Sequence, residues 1–431
     1  MATRINTEGG TLRTSLTLET SLRFDSQTLL SIDSSYTLIV PTYNRPSHLL
    51  RLVRYLCSFN RSFRVLILDS SSSEIQECNK RGLDPYSDKV EHIPFDSATD
   101  PISKYEHGIS LVETPFCSFC ADDDILLVDS ATLCLEFLRS HPDYVAAHGY
   151  YFNFLPRDEV EIQALTYWRD SLRAEAPLER VVALMQDYEA LFYAIYRTDV
   201  IRAIFPQSRR VDTFLWKELI LAAASVLSGK IARLPQFYYG RCTGPSHRFE
   251  NWHPHEILAK SPEVLISDFA KYRAALFKQF AINEGPDGEA RARAFDLAHL
   301  AYIAPFLQPE IINYILDRTL AGDDSAAIIA GIWDRWVHSP QPKTPVRRYR
   351  PGRRHDWLTL IRKAWHRLFP GLRFSLYYDD VVTSRSPDAP PRRYRLSSNF
   401  LALRTPGAIA PAVRDVRMII DNLDRYLSLK H

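Results

Sequence analysis

Between Tyr36 and His148 short apolar runs alternate with amphipathic ones, and this alternation limits the fold more than any other feature of the chain. Thr37–Val40 is apolar and β-branched and stops at Pro41, which predicts a buried strand. His48 to Phe59 then carries Leu49, Leu52, Val53, Leu56 and Phe59 at helical spacing. A second strand is predicted at Phe63–Leu68. A strand at Val90–Pro94, a helix at Ile102–Leu111, a strand at Thr114–Cys120, a helix at Ser130–Ser140 and a strand at Tyr144–His148 follow. Strand, helix and strand in succession make βαβ units with a parallel sheet, so the fold class is α/β, a Rossmann-like sheet flanked by helices. Ligands of such sheets bind beyond the carboxyl ends of the strands, here Pro41–Arg45, Asp69–Ser73 and Asp122–Asp124.

Past Tyr150 the periodicity predicts a strand at Leu191–Tyr196, a helix at Thr213–Ser228 and a strand at Lys230–Leu234 ended by Pro235. A Gly-, Pro- and His-containing loop follows, then a mainly helical stretch from His255 to Trp336 and short helices at Trp357–Phe369 and Val413–Leu429. The expected division is an N-terminal extension (1–35), the α/β domain (36–254), a helical region (255–340) and a basic linker with a C-terminal helical region (341–431).

Composition excludes several classes. In 431 residues, 53 Lys and Arg balance 51 Asp and Glu, which argues against a general polyanion binder, so no nucleic-acid partner is expected. The 15 Gly include no GxGxxG and no P-loop spacing, and HExxH, paired CxxC and GxSxG are absent. No run of about 18 apolar residues exists, and Met1–Leu30 lacks the apolar stretch of a secretory signal, so a cytoplasmic protein is expected. Six Cys in so long a chain are no disulfide framework. Cys117 and Cys120 would point to opposite faces of a strand, as core residues rather than a metal or redox pair.

Asp122, Asp123 and Asp124 follow an apolar strand without a spacer. Adjacent carboxylates at a strand end repel one another, and Mg²⁺ or Mn²⁺, which takes hard oxygen ligands, relieves that cost. If the segment is extended, Asp122 and Asp124 share a face and Asp123 points elsewhere. The alternative is an acidic helix start stabilised by the helix dipole.

Three pieces in order, Val40-Pro41-Thr42-Tyr43-Asn44-Arg45-Pro46, Asp69-Ser70-Ser71 and Asp122-Asp123-Asp124, resemble the GT-A fold nucleotide-sugar glycosyltransferases of the family 2 type, over about residues 36–250. The family more often carries Asp-Asp-Gly-Ser where this chain has Asp69-Ser70-Ser71-Ser72. The resemblance implies a hexosyltransferase-like enzyme that takes a nucleoside diphosphate sugar as donor, uses Mn²⁺ or Mg²⁺ and inverts the sugar. Pro41, Thr42, Tyr43 and Arg45 would lie along base and ribose, and Asp69 would accept a hydrogen bond from the base. Asp122 would hold the ribose or a cationic side chain, and Asp124 would ligate the metal, with Asp122 and His247 as further ligands. Lys104, Asp123 and Arg248 are grouped with the donor contacts. An inverting transfer needs a carboxylate to accept the acceptor's proton. The family's acidic residue about eleven positions before a Gly and a strand maps onto Glu218, ahead of Gly229, with Asp212 as runner-up.

Other readings stay open. The fold could serve as a nucleotide- or glycan-binding module without turnover, or as a nucleotidyltransferase, whose Gly-rich first loop is missing. Tyr150, Tyr151, Phe152 and Phe154 are either a sugar-stacking platform or core. Between Lys343 and Arg373 ten Lys and Arg face a single acid, Asp356, and Trp357, Leu358, Ile361, Trp365 and Leu368 line one helical face. That segment suits peripheral contact with the inner, anionic face of a membrane or docking on the protein's own acidic body. The acceptor, whether glycan, lipid-linked or protein, and the oligomeric state are not encoded in any motif.

Overall fold

A computed structural model of the chain describes residues 34–60, 62–156, 159–166, 170–243, 262–303, 393–396 and 413–428. The expectations for the N-terminal extension, His247, Arg248, the basic segment 343–373 and the helix at Trp357–Phe369 lie outside the described residues.

The first half alternates as expected: β1 (Tyr36–Thr42), α1 (Pro46–Cys57), β2 (Arg64–Asp69), α2 (Ser73–Leu83), β3 (Val90–Pro94), α3 (Pro101–Ser110) and β4 (Phe116–Phe119). These four strands run parallel in the order β3-β2-β1-β4. Both faces are covered. Ile39, Leu66, Leu68 and Cys117 enter one core, while Leu38, Val40, Val65, Ile67 and Cys120 enter the other. Strands buried on two sides need near-continuous apolar sequence, which is why β1 and β2 read so clearly. The two cysteines sit on opposite faces, unpaired, as their spacing predicts. The chain runs outward from β1 to β3 and returns across β1 to β4. The crevice between the ends of β1 and β4 is therefore the switch point at which such sheets bind ligands.

Beyond β4 come β5 (Ile125–Leu126), α4 (Val128–Ser140), β6 (Tyr144–Leu155), β7 (Glu159–Thr166), α5 (Pro177–Gln186), β8 (Ile195–Arg197), α6 (Thr198–Ile204), α7 (Phe214–Ser228) and β9 (Lys230–Cys242). Here the sequence expectations need correction. The strand at Leu191–Tyr196 shrinks to β8 because Leu191–Ala194 closes a turn, Ala194 N donating to Leu191 O at 3.0 Å. Pro235 does not end its strand. The register of β6 and β9 jumps from His148–Arg233 to Tyr150–Phe237, so Pro235 sits in a bulge that requires no ladder N–H from it. Gly149 faces that bulge, where a Cβ would lie 2.2 Å from Gln236 O. Tyr151, Phe152 and Phe154 are fully buried, so this aromatic run is core and not a platform.

Two helices, α8 (Pro262–Phe280) and α9 (Gly288–Ile303), cover α7 and α5. Trp216 of α7 packs on Phe269 and Tyr272, with ring centroids 5.3 and 4.9 Å away. The buried Asp268 carboxylate accepts from Asp212 N and Thr213 N, at 3.0 and 2.7 Å, and so caps the start of α7. The chain then returns to the sheet. β10 (Arg393–Leu396) pairs parallel with β7, and α10 (Val413–Ser428) packs on α1 and β9. The expected separate C-terminal region thus contributes to the α/β body, a contact between residues far apart in sequence that no local pattern announces. Among the described residues no helix is long and apolar enough to cross a membrane.

Candidate active site

Thr42, at the end of β1, reaches across the switch point and donates its hydroxyl to Asp122 Oδ2 at 2.7 Å. Arg45, the residue before α1, places Nη1 3.2 Å from Asp122 Oδ1 and 3.0 Å from Asp123 Oδ2. Residues 121–124 are a turn, with Asp124 N donating to Ala121 O at 3.2 Å, and not an extended strand. The alternation that pairs Asp122 with Asp124 therefore fails. Asp122 and Asp123 converge on one cation, while Asp124 turns inward and accepts from Tyr239 Oη at 2.9 Å and from Cys242 N at 2.8 Å. Each Asp124 oxygen thus accepts one hydrogen bond from β9, and each Asp122 oxygen one from the loop after β1.

Burial and the neighbouring Asp123 charge push the Asp122 carboxyl up to about 6, against the opposing pull of Thr42 and Arg45. Burial and Asp123 push Asp124 up to about 7, with Arg241, Cys242 N and Tyr239 pulling the other way. The turn is thus short of positive charge even with Arg45 in place. Lys104 of α3 supplies more from below: its buried ammonium donates to Thr42 O at 3.1 Å and Ser70 Oγ at 2.8 Å. Burial lowers it to about 8, partly offset by Asp69 and Asp122.

The loops after β1 and β2 are stapled together by Asn44, whose φ of 54° is tolerated by a short polar side chain. Asn44 N donates to Ser71 Oγ at 2.8 Å, and Ser72 N donates to Asn44 Oδ1 at 3.0 Å. The staple presents Tyr43, at 49% the one exposed large hydrophobic among the described residues. Pro41 and Thr42 line the same edge. Asp69 lies differently. Its carboxylate is wholly buried and accepts from Ser71 N, Asn79 Nδ2 and His92 Nε2 at 2.9, 2.8 and 2.9 Å. Burial raises its pKa, but these hydrogen bonds outweigh burial and hold it down at about 2. This enclosed carboxylate ties the loop after β2 to α2 and β3.

Glu218 lies on α7, and Tyr188 Oη donates to its Oε1 at 2.7 Å. Burial pushes the Glu218 carboxyl up, against Tyr188 and the charge of Arg241. Arg241 acts on both Glu218 and Asp124, which brings the helix carboxylate and the acidic turn into one electrostatic neighbourhood. Asp212 is instead 70% exposed and ion-paired with Lys271 at 2.6 Å, outside this enclosure. Sequence reasoning missed Tyr188, Tyr239 and Arg241. The latter two lie on β9 beyond Pro235, where the strand was expected to end.

Among the described residues no cluster of three or more His, Cys, Asp or Glu has the arrangement of a metal centre. Two converging carboxylates bridged by one guanidinium nitrogen nevertheless fit a hard divalent cation. Mg²⁺-type ions use one or two carboxylates and complete their shell with water and substrate phosphate.

Residues 37–205 match the family described as Glycosyl transferase family 2. Over this segment the chain is similar to family 2 glycosyltransferases. The match spans the parallel sheet, the acidic turn and the loops that Asn44 staples, so the protein is a glycosyltransferase enzyme of GT-A fold. No curated protein matches the chain. Among solved structures, residues 1–349 of TarS from S. aureus align at 13% identity over 71% of this chain and 92% of that one, with a TM-score of 0.41. The same TarS fragment in complex with UDP-GlcNAc gives 14% identity, 70% and 91% coverage and a TM-score of 0.41. The mannosyltransferase PcManGT from Pyrobaculum calidifontis, in complex with GDP-Man and Mn²⁺, gives 10% identity, 70% and 87% coverage and 0.36. Scores this low carry nothing about ligands or chemistry from those proteins to the glycosyltransferase domain described here.

Proposed function

We propose that this glycosyltransferase moves a sugar from a nucleoside diphosphate sugar to a hydroxyl of a glycan, lipid-linked or protein acceptor, with inversion at the sugar. The observation that carries the reading is the convergence of Asp122 and Asp123 on a single cationic nitrogen at the switch point. The exposed Tyr43 ring, with Pro41 and Thr42 beside it, suits the base and ribose of the donor. Asp123, with Asp122, would hold Mn²⁺ or Mg²⁺, in place of the Asp124 expected from the sequence. When bound, the cation supplies charge neutralisation for the departing diphosphate. Arg45 lies within reach of the same phosphates, and Lys104 keeps the loop beneath them positive.

Glu218 is the general base. As the acceptor oxygen bonds to the anomeric carbon, the bond to the diphosphate oxygen breaks and the hydroxyl proton passes to a Glu218 oxygen. A carboxylate of raised pKa, oriented by Tyr188, is suited to holding that proton. The catalytic unit comprises residues 36–254 together with 393–396 and 413–428, which complete the sheet and its cover. The basic stretch from Lys343 to Arg373 supports peripheral attachment to an anionic membrane face, and hence a cytoplasmic enzyme acting at that surface. Neutralising Arg347, Arg348, Arg353 and Arg354 should abolish partitioning onto anionic liposomes, and unchanged partitioning would refute attachment.

The test of the reaction is incubation with a panel of nucleotide sugars and Mn²⁺. Release of nucleoside diphosphate, lost in Asp123→Asn, is the expected result. Pyrophosphate would instead indicate nucleotidyl transfer, and neither product a binding module.

A further inference from the structure

We propose that Tyr426, from the C-terminal helix α10, is a positioning residue that fixes the acidic turn in its cation-holding form. The inference rests on the reading of Asp122 and Asp123 as cation ligands. Tyr426 Oη donates to the backbone carbonyl of Asp123 at 3.1 Å, in a fully buried setting, across 303 positions of sequence. That carbonyl belongs to the residue whose carboxylate faces Arg45. Three residues on, Tyr55 Oη of α1 lies 3.1 Å from Leu126 O and 2.7 Å from Asn422 Oδ1 of α10, two acceptors that share its one hydrogen. The helix therefore holds the segment 123–126 directly at Asp123.

The Tyr426 ring has little freedom. The Arg51 guanidinium stands over it at 4.7 Å, and Tyr55 and Phe154 meet it edge-on at 5.7 and 6.2 Å. Its hydroxyl is thus delivered to one acceptor. A turn carrying two converging carboxylates tends to open by mutual repulsion, and a hydrogen bond to its own carbonyl opposes that without adding charge. The family match ends at residue 205, so this brace comes from a part of the chain outside the matched segment. The docking of α10 has a separate fastening, Tyr394 Oη donating to Asp424 Oδ1 at 3.1 Å, which does not touch the turn.

That second fastening supplies the control. Mn²⁺ binding to the full chain is measured by electron paramagnetic resonance, without turnover, in the presence of UDP or GDP, for wild type, Tyr426→Phe and Tyr394→Phe. Tyr426→Phe should weaken Mn²⁺ binding by about tenfold, as loss of a partner behind a metal ligand does. Tyr394→Phe should lower the melting temperature and leave Mn²⁺ affinity at the wild-type value. Equal weakening by both variants would mean that helix docking alone matters, and wild-type affinity in Tyr426→Phe would mean that the hydroxyl does nothing; either overturns the proposal. Failure of the wild type to bind Mn²⁺ would instead overturn the underlying site reading. Should Tyr426→Phe not fold, Tyr55→Phe, which loosens the turn at Leu126, is expected to weaken Mn²⁺ in the same direction, and an unchanged value there counts against the brace.

Discussion

Two neighbouring strand ends carry buried carboxylates and treat them in opposite ways. At the end of β2, Asp69 is surrounded by donors and its acidity is strengthened to about 2. At the end of β4, burial and the charge of Asp123 drive Asp122 and Asp124 up to about 6 and 7. Burial raises the pKa at both sites; the Asp123 charge adds to it at Asp122 and Asp124, whereas hydrogen bonds outweigh it at Asp69. A carboxylate held ionised by three hydrogen bonds keeps the loop in shape, whereas adjacent carboxylates that repel one another beside a crevice are suited to a cation.

The comparison breaks most visibly at Asp123. Asp123→Asn should lower kcat/KM by about a thousandfold, since cation stabilisation of a leaving group is worth several kcal/mol, and should leave the melting temperature near wild type. A destabilised but active variant would mean that the turn is structural, like Asp69. Next in size is Glu218→Gln, for which kcat should fall by about a hundredfold with donor affinity unchanged in calorimetry. Normal turnover there, with loss in Asp212→Asn, would move the base to the exposed pair with Lys271. Asp268→Ala removes the cap of α7 and should cost about 2 kcal/mol in urea unfolding, as a buried donor pair left unmet does.

The smallest effect sharpens the other side. Asp69 has a folded pKa below its unfolded value, so its contribution is present above about pH 4 and is lost as pH falls through about 2. Asp69→Asn should therefore be less stable than wild type by about 1–2 kcal/mol at pH 6, with the gap closing toward pH 2.5, and should keep its Mn²⁺ affinity. A gap that widens on acidification would reverse the assignment.

The parallel core of β1, β2, β3 and β4 was legible because each strand is buried on both faces and each helix shows one apolar stripe. The switch point followed from strand order, and with it the neighbourhood of Thr42, Arg45 and Asp122. The acidic turn was legible in place but not in shape: periodicity assumes extended chain, and a turn bond at Ala121 instead faces Asp123 to Arg45 and Asp124 to β9. Tyr239 and Arg241 were hidden by Pro235, whose bulge became apparent only opposite Gly149. The return of β10 and α10 to the sheet was not legible at all, since pairing between residues so distant leaves no local trace.

Arg45 gives the unliganded protein its own counter-charge. With a guanidinium already seated between Asp122 and Asp123, part of the turn's negative charge is met, and a stray divalent ion must evict the arginine to bind. Eviction becomes favourable once phosphates arrive to receive the displaced arginine. Nucleotide and ion should accordingly associate as a pair, with strongly cooperative titrations, and the resting enzyme should be indifferent to swings in free manganese.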